Sequence, residues 1–278
     1  VLLCGVGVGP LPTRAGRLLA ALIVRSVSFV SVRDHGSFRT CLDLGLSADR
    51  LTRIPDVVFV NERERFLDTE LVHAPDAGRL RIALNLNRDI ANGARWEPFL
   101  RELADALDLV TARTPIEIHA LPMQSRFKTD DDLSVLRDFL ADRPNWHPVV
   151  HEPDDHRAVA EIIAGCDVVV SERLHAIVIS AVIGRPVVGL VYDVKVAELI
   201  EQLGIADRSV DVNAAFEPER LAAAIENTLA AGPIEAERLA QQAGGLRAGL
   251  VTHFDDVRRW LRDPSTRAWN TTHPRAAR

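Results

Sequence analysis

Long apolar runs are missing from this sequence. None reaches the roughly 18 to 20 residues of a membrane span, and no secretory signal pattern is visible. The chain therefore reads as cytoplasmic, with no transmembrane segment. Cysteine is scarce: Cys4, Cys41 and Cys166 lie far apart, with no CxxC or Cys/His ligand spacing. They read as unpaired, packed thiols in a reducing compartment, and no metal cluster is expected. An excess of positive charge is missing too. The net charge is -6 with both signs mixed along the chain, which argues against a nucleic-acid groove or a polybasic membrane patch. Internal repeats and low-complexity tracts are absent. An initiating Met is absent as well: the chain opens on "VLLCG", a buried-looking strand, and residues upstream of it are expected. The sequon at Asn270-Thr271-Thr272 is read as chance in a cytoplasmic tail.

What is present is a soluble-protein composition, 47% hydrophobic and 26% charged over 278 residues, enough for two domains. Strand and helix signals alternate. Strands are expected at Val1–Cys4 and Val27–Val32, with a further short apolar run at Val57–Val60. Helices are expected at Ala15–Val24, which carries the stripe Leu18, Leu19, Leu22 and Ile23, and at Ser37–Leu44, closed by Gly45. The polar stretch 61–78 reads as a linker. A second series follows: strand "LRIALNL", helix Trp96–Leu109, strand "PIEIHAL", helix Asp131–Leu140, strand "HPVVH", helix Arg157–Ala164, strand "CDVVVS", helix "RLHAIVISAVIG", strand "PVVGLVY" and helix "VKVAELIEQLG". Helices at Pro218–Ala231 and Glu235–Ala248, then "FDDVRRWLRD", complete it. Strands apolar on both faces between helices imply parallel sheets covered on both sides. The expected domains are 1–78, part of an N-terminal Rossmann-like domain; 79–255, a complete doubly wound domain; and 256–278, a helix and tail.

Ligands of such sheets bind beyond the carboxyl ends of the strands. Arg173, Leu174 and His175 leave one such end at the first turn of a helix, where backbone N–H groups and the helix dipole favour an anion. Arg173 adds a forked cation suited to phosphate or carboxylate. The next strand delivers Tyr192, Asp193 and Lys195 to the same edge. The plain alternative is that Arg173 pairs with a nearby acid, His175 packs on a neighbour and Lys195 is solvated. "GVGVGPL", with Gly5, Gly7 and Gly9, lets backbone approach a ligand or simply makes a tight turn. It is neither a dinucleotide GxGxxG nor a P-loop. Arg33 and Asp34 also follow a strand, as an anion site or as a surface Arg and a helix cap. Asn85, Asn87 and Arg88, after a strand, read as cleft lining or as plain loop residues; His119 and Gln124 stand near another strand end; His147 and His151 read as structural.

The order of these motifs resembles the polysaccharide pyruvyl transferase family. "GVGVGP", Arg33-Asp34 with Ser37, Leu44-Gly45, "PDVVF", "DVVVSERLHA", the Gly184–Val187 turn and the Tyr192–Lys195 "YDVK" follow one another over residues 1 to about 205. Val6 stands where the family often has Gln. The resemblance implies an α/β, GT-B-like fold of two Rossmann-like domains, the N-terminal one incomplete here. It implies phosphoenolpyruvate as donor, with no further cofactor and no metal, and a glycan or lipid-linked sugar as acceptor, yielding a pyruvate ketal in a cell-wall polysaccharide or exopolysaccharide. It maps catalytic roles onto Arg33, His175 and Lys195. Donor binding falls to Arg173, Leu174, His175, Lys195, Arg33, Gly7, Gly9 and Tyr192.

Ketal formation needs a proton on the enol methylene and cations for phosphate and carboxylate. Histidine, which ordinarily titrates near neutrality, is the candidate acid–base. Two rival expectations stand: a nucleotide-sugar glycosyltransferase of GT-B type, with Glu198 as the ribose acid, and an inactive N-terminally truncated fragment.

Overall fold

A computed structural model describes residues 1–68, 78–89, 93–124 and 131–262. It contains two compact units: Val1–Val60 together with the chain from Gly245, and Asn61–Gly244.

The first unit opens with β1 (Leu2–Val6), α1 (Arg14–Ser26), β2 (Phe29–Val32), α2 (His35–Asp43) and β3 (Leu51–Arg53). The strands form a parallel sheet in the order β1-β2-β3. β2 is buried along its whole length, as "FVSV" between two neighbours requires. Thr13 caps α1 by accepting the Gly16 N–H, and Asp34 caps α2 by accepting the Ser37 N–H. The stripe Leu18, Leu19, Leu22 and Ile23 is 54–63% exposed; α1 packs instead through Val24, Ala20 and Ala21. "VVFV" at Val57–Val60 is a 3-10 turn and not a strand. Asp56, accepting the Val58 N–H at 3.0 Å, starts that turn and overrides the β-rich composition.

The second unit begins with a short helix, α3 (Arg63–Phe66), inside the stretch read as linker; residues 69–77 of that stretch lie outside the described residues. It continues with β4 (Leu80–Asn85), α4 (Trp96–Thr111), β5 (Ile116–Ala120), α5 (Asp132–Leu140), β6 (Val149–Val150), α6 (His156–Ala164), β7 (Val168–Ser171), α7 (Leu174–Ile183), β8 (Val187–Val191), α8 (Val194–Leu203) and β9 (Ser209–Asp211). All strands are parallel, in the order β6-β5-β4-β7-β8-β9. The chain therefore winds outward from β4 in one direction, then returns to β7 and winds in the other. The β4/β7 junction is a topological switch point, the place where open α/β sheets take ligands. In register there, Asn85 faces Ser171.

α7 is apolar around its circumference and buried from Ala176 to Ala181, as a helix inside a covered layer must be. Gly184, at φ 73°, ends it in the left-handed conformation. The run α9 (Pro218–Arg262) is two helices divided at Gly232 (φ 32°, ψ -110°) before Pro233, where the first two expected helices part; the later ones are continuous. The tail from 263 lies outside the described residues.

Gly5 has φ +64°, and a Cβ there would sit 2.1 Å from Val57 Cγ1. The glycine-rich strand end and the "PDVVF" turn therefore touch through the missing side chain. Gly5→Ala is expected to destabilise the protein by about 1–3 kcal/mol. Gly244→Ala, inside α9 where a Cβ would meet nothing within 4 Å, is expected to stabilise it by up to about 1 kcal/mol. Urea unfolding of the two variants checks this pair of opposite signs.

Candidate functional site at the strand switch point

At the carboxyl ends of β4 and β7 the chain builds a closed polar network. The Asn85 side chain is fully buried. Its Oδ1 accepts the Arg173 N–H at 3.0 Å and the Ser171 hydroxyl at 3.2 Å. Its Nδ2 donates to Leu121 O at 2.9 Å and to Asp132 Oδ2 at 3.2 Å. One amide thus ties together β4, β7, the end of β5 and the start of α5. Asp132, 1% exposed, also accepts the Met123 N–H at 3.1 Å.

The Arg173 guanidinium lies over this network. Nε donates to Asp132 Oδ2 at 3.1 Å and Nη2 to Asp132 Oδ1 at 2.6 Å, a bidentate fork. Nη2 also donates to Gln124 Oε1 at 3.1 Å, and Nη1 to Asp89 Oδ2 at 3.2 Å. Burial pulls the guanidinium pKa down, but the hydrogen bond and charge of Asp132, with Tyr192 and Asp89 behind them, outweigh it and raise it overall. The alternative that Arg173 pairs with a nearby acid holds in this structure. Its two carboxylates are unequal: Asp132 is 1% exposed and Asp89 36%.

Glu172, which sequence reasoning passed over, is wholly buried beneath Arg173. Its Oε2 accepts the Asn87 N–H, while its Oε1 has no hydrogen-bond partner. Burial lifts this carboxyl well above the usual range; the Asn87 N–H and Arg173 oppose the rise, and Asp132 and Asp89 add to it.

Of the other residues singled out in this unit, Leu174 is half-buried in the first turn of α7 and His175 is exposed there. Arg173 is the N-cap of α7 and makes no side-chain capping bond, whereas α1, α2, α5, α6 and α8 each have an Asp or Thr side chain capping them. Lys195 is half-buried in the first turn of α8, whose cap Asp193 accepts the Val196 N–H at 2.9 Å. Because β7 and β8 are paired neighbours, the first turns of α7 and α8 emerge side by side. Tyr192 directly follows β8, and burial pushes its hydroxyl up to about 12. Asn87 is buried with its Nδ2 unpartnered; Arg88 is exposed.

The first unit holds Gly7, Gly9 and Arg33. Arg33 Nη1 donates to Asp56 Oδ2 at 2.7 Å, so the Asp of "PDVVF" is its ion partner. Its buried Nε has no hydrogen-bond partner, and a Cβ on Gly7 would come within 3.5 Å of it. Gly7 therefore lets the guanidinium lie flat on the backbone. Asp34 is buried as a helix cap and also takes the Ser37 hydroxyl at 2.7 Å; Ser37 Oγ in turn accepts the Val8 N–H at 2.8 Å. Gly9, at φ +116°, precedes a cis Pro10.

His119 is half-buried at the end of β5. Its Nδ1 lies 2.9 Å from His151 Nε2 and its Nε2 2.8 Å from Glu117 Oε1. Burial, with His119 beside it, lowers the His151 pKa. Cys41 and Cys166 are buried, and burial pushes the Cys166 thiol up to about 12. Among the described residues no three His, Cys, Asp or Glu side chains are grouped to hold a metal ion, and no helix is long and apolar enough to cross a membrane.

A family model described as polysaccharide pyruvyl transferase matches residues 1–194. The match takes in Arg33, Arg173 and His175 and stops one residue before Lys195. Solved structures share the fold at low identity. A putative UDP-N-acetylglucosamine 2-epimerase from Listeria monocytogenes is 13% identical at TM-score 0.55, covering 89% of this chain and 64% of its own. A glycosyltransferase from Rickettsia africae is 12% identical at TM-score 0.55, covering 90% and 65%. HepE of Anabaena, solved with UDP-glucose, is 15% identical at TM-score 0.53, covering 90% and 68%. The chain thus spans less than two thirds of the first two. The α/β, GT-B-like class with Rossmann-like parallel sheets is the one expected.

The unequal burial of the two acids on Arg173 sets unequal energies. Asp132→Ala is expected to cost about 3–5 kcal/mol of stability, because it strands a half-buried guanidinium. Asp89→Ala is expected to cost less than about 1 kcal/mol. Equal costs in urea unfolding would contradict this division.

Proposed function

Because the chain belongs to the polysaccharide pyruvyl transferase family, we propose that it transfers the pyruvyl unit of phosphoenolpyruvate to a sugar of a cell-wall polysaccharide or exopolysaccharide precursor, forming a pyruvate ketal. The observation that carries this reading is the N-terminus of α7 at the switch point. It has no side-chain cap, the Arg173 fork stands beside it, and Lys195 opens the neighbouring helix. This is a receptor for a small dianion.

Phosphoenolpyruvate brings a phosphate and a carboxylate. In the proposed mode, the donor takes the first-turn N–H groups of α7 and the Lys195 ammonium. It replaces Asp89 on Arg173 Nη1, while Asp132 keeps its grip and fixes the fork's direction. The enol C3 gains a proton, which leaves C2 cationic. A sugar hydroxyl adds to C2 and loses its proton. The C2–O bond to phosphate breaks, its electron pair leaving with phosphate, and a second hydroxyl adds and loses its proton. The two hydroxyl protons balance the one gained by C3 and the one taken by phosphate. His175, exposed on the first turn of α7, is the proposed acid–base group. Arg33 is the proposed catalytic cation of the first unit, with its direction set by Asp56 and Gly7.

For the acceptor, a cavity of about 350 Å³ lies against α4 and α5. Arg88, Arg101, Arg143, Glu97 and Asp138 supply its polar lining over Leu100 and Val135, groups that suit the hydroxyls and ring faces of one or two sugar units. Arg88, one of its lining residues, stands between Asn87 and Asp89 in the chain. A second reading, a nucleotide-sugar glycosyltransferase, is favoured only by the fold it shares with the UDP-glucose complex.

Calorimetric titration separates the two. Phosphoenolpyruvate is expected to bind and UDP-glucose not. Arg173→Ala and Lys195→Ala should each weaken donor binding by about tenfold or more. His175→Ala should keep donor affinity and lose about 10²–10⁴ in turnover. Binding of UDP-glucose alone moves the chain to the second reading.

A further inference from the structure

Glu172 is the buried acid that the proposed chemistry does not use. It precedes Arg173 in the chain, and its own N–H donates to Asn85 O at 3.4 Å. Its Oε2 accepts the Asn87 N–H. Asn87 Oδ1 accepts the Asp89 N–H at 2.8 Å, and Asp89 Oδ2 meets Arg173 Nη1 at 3.2 Å. A closed circuit results: Glu172, Asn87, Asp89, Arg173 and back through the peptide bond. Its members are fixed from both sides, with Glu172 0% and Asn87 1% exposed.

We propose that Glu172 is a positioning residue: the strut that holds the 87–89 turn, and with it Asp89, against the Arg173 guanidinium. The inference rests on the proposed donor site for its consequence, though not for its geometry. If Asp89 is the partner that a donor anion displaces, the strut sets how readily Arg173 is released to that anion.

Burial disfavours the ionised form of the strut, against the pull of the Asn87 N–H and Arg173. The groups that face it are Asn87 and Asp89 after β4, Asp132 at the start of α5, Arg173 at the start of α7 and Tyr192 after β8. Arg173 is already claimed by two carboxylates. An ionised Glu172 would be a third, buried with an Oε1 that has no hydrogen-bond partner, and it would repel Asp89 and compete for Arg173. The sign of the linkage follows. A carboxyl raised on folding contributes stability that is full below its unfolded value and is lost as pH rises through its folded value.

Two variants of the full chain test this: Glu172→Gln, a neutral isostere that keeps an acceptor for the Asn87 N–H, and Glu172→Ala, which removes it. The first readout needs no donor. The Arg173 Nε–H resonance of 15N-labelled protein, assigned by its loss in Arg173→Lys, is followed from about pH 5 to about pH 10. It should shift as Glu172 ionises in the wild type and stay flat in Glu172→Gln. The same titration in both proteins, or in neither, overturns the proposal. The second readout is phosphoenolpyruvate affinity. At neutral pH Glu172→Gln should bind within about twofold of wild type and Glu172→Ala about tenfold more weakly. At alkaline pH the wild type should fall about tenfold relative to Glu172→Gln. Identical pH profiles overturn the positioning role. Should Glu172→Ala fail to fold, the wild-type and Glu172→Gln comparison decides alone. If phosphoenolpyruvate binds neither protein at any pH, the donor reading fails and the arginine resonance still decides the strut.

Discussion

The bidentate pair between Arg173 and Asp132 is the constraint around which the second unit's ligand edge is organised. A half-buried guanidinium needs a fixed counter-charge, and Asp132 supplies both oxygens from the first turn of α5. That carboxylate must itself be held, which Asn85 Nδ2 and the Met123 N–H accomplish. Asn85 can reach only because β4 and β7 are neighbours in register. Strand order, a buried amide and one ion pair are therefore a single arrangement at the carboxyl edge of the sheet, where β4 and β7 lie side by side.

The two units handle their cations alike. Arg33 leans on Asp56 as Arg173 leans on Asp132, and each Arg directly follows a strand or its end. Asp56 comes from the turn after β3 and Asp132 from the first turn of helix α5. A cation at the end of a parallel strand would otherwise sweep through solvent; a buried acid restricts it and keeps its charge aimed.

Much of this was legible in the sequence. The alternation of apolar strands and capped helices gives the α/β class, and the "SERLHA" and "YDVK" segments fall at adjacent strand ends as read. Strand order was not legible, because pairing of β4 with β7 across an intervening αβαβα stretch leaves no local signal. Hence Asn85 read only as possible lining, and Asp132, third in an acidic run that looks solvated, was passed over. Glu172 hid between Ser171 and Arg173, where an acid reads as polar and exposed. "VVFV" read only as a short apolar run, because composition says nothing of the Asp56 side chain that turns the backbone. The α1 stripe misled, since amphipathicity gives a helix a face without giving that face a neighbour.

At the edge of the larger sheet, Glu117, His119 and His151 form a chain in which each link fixes the next. If His119 gives its Nε2 hydrogen to Glu117, its Nδ1 must accept, and His151 must supply the hydrogen from Nε2. One tautomer thus dictates another across two strands. The rings stack with centroids 5.1 Å apart, and burial, with His119 beside it, holds the His151 pKa below its ordinary value. The last two strands on this side of the sheet are therefore joined by a relay whose hydrogen bonds must all run in one direction.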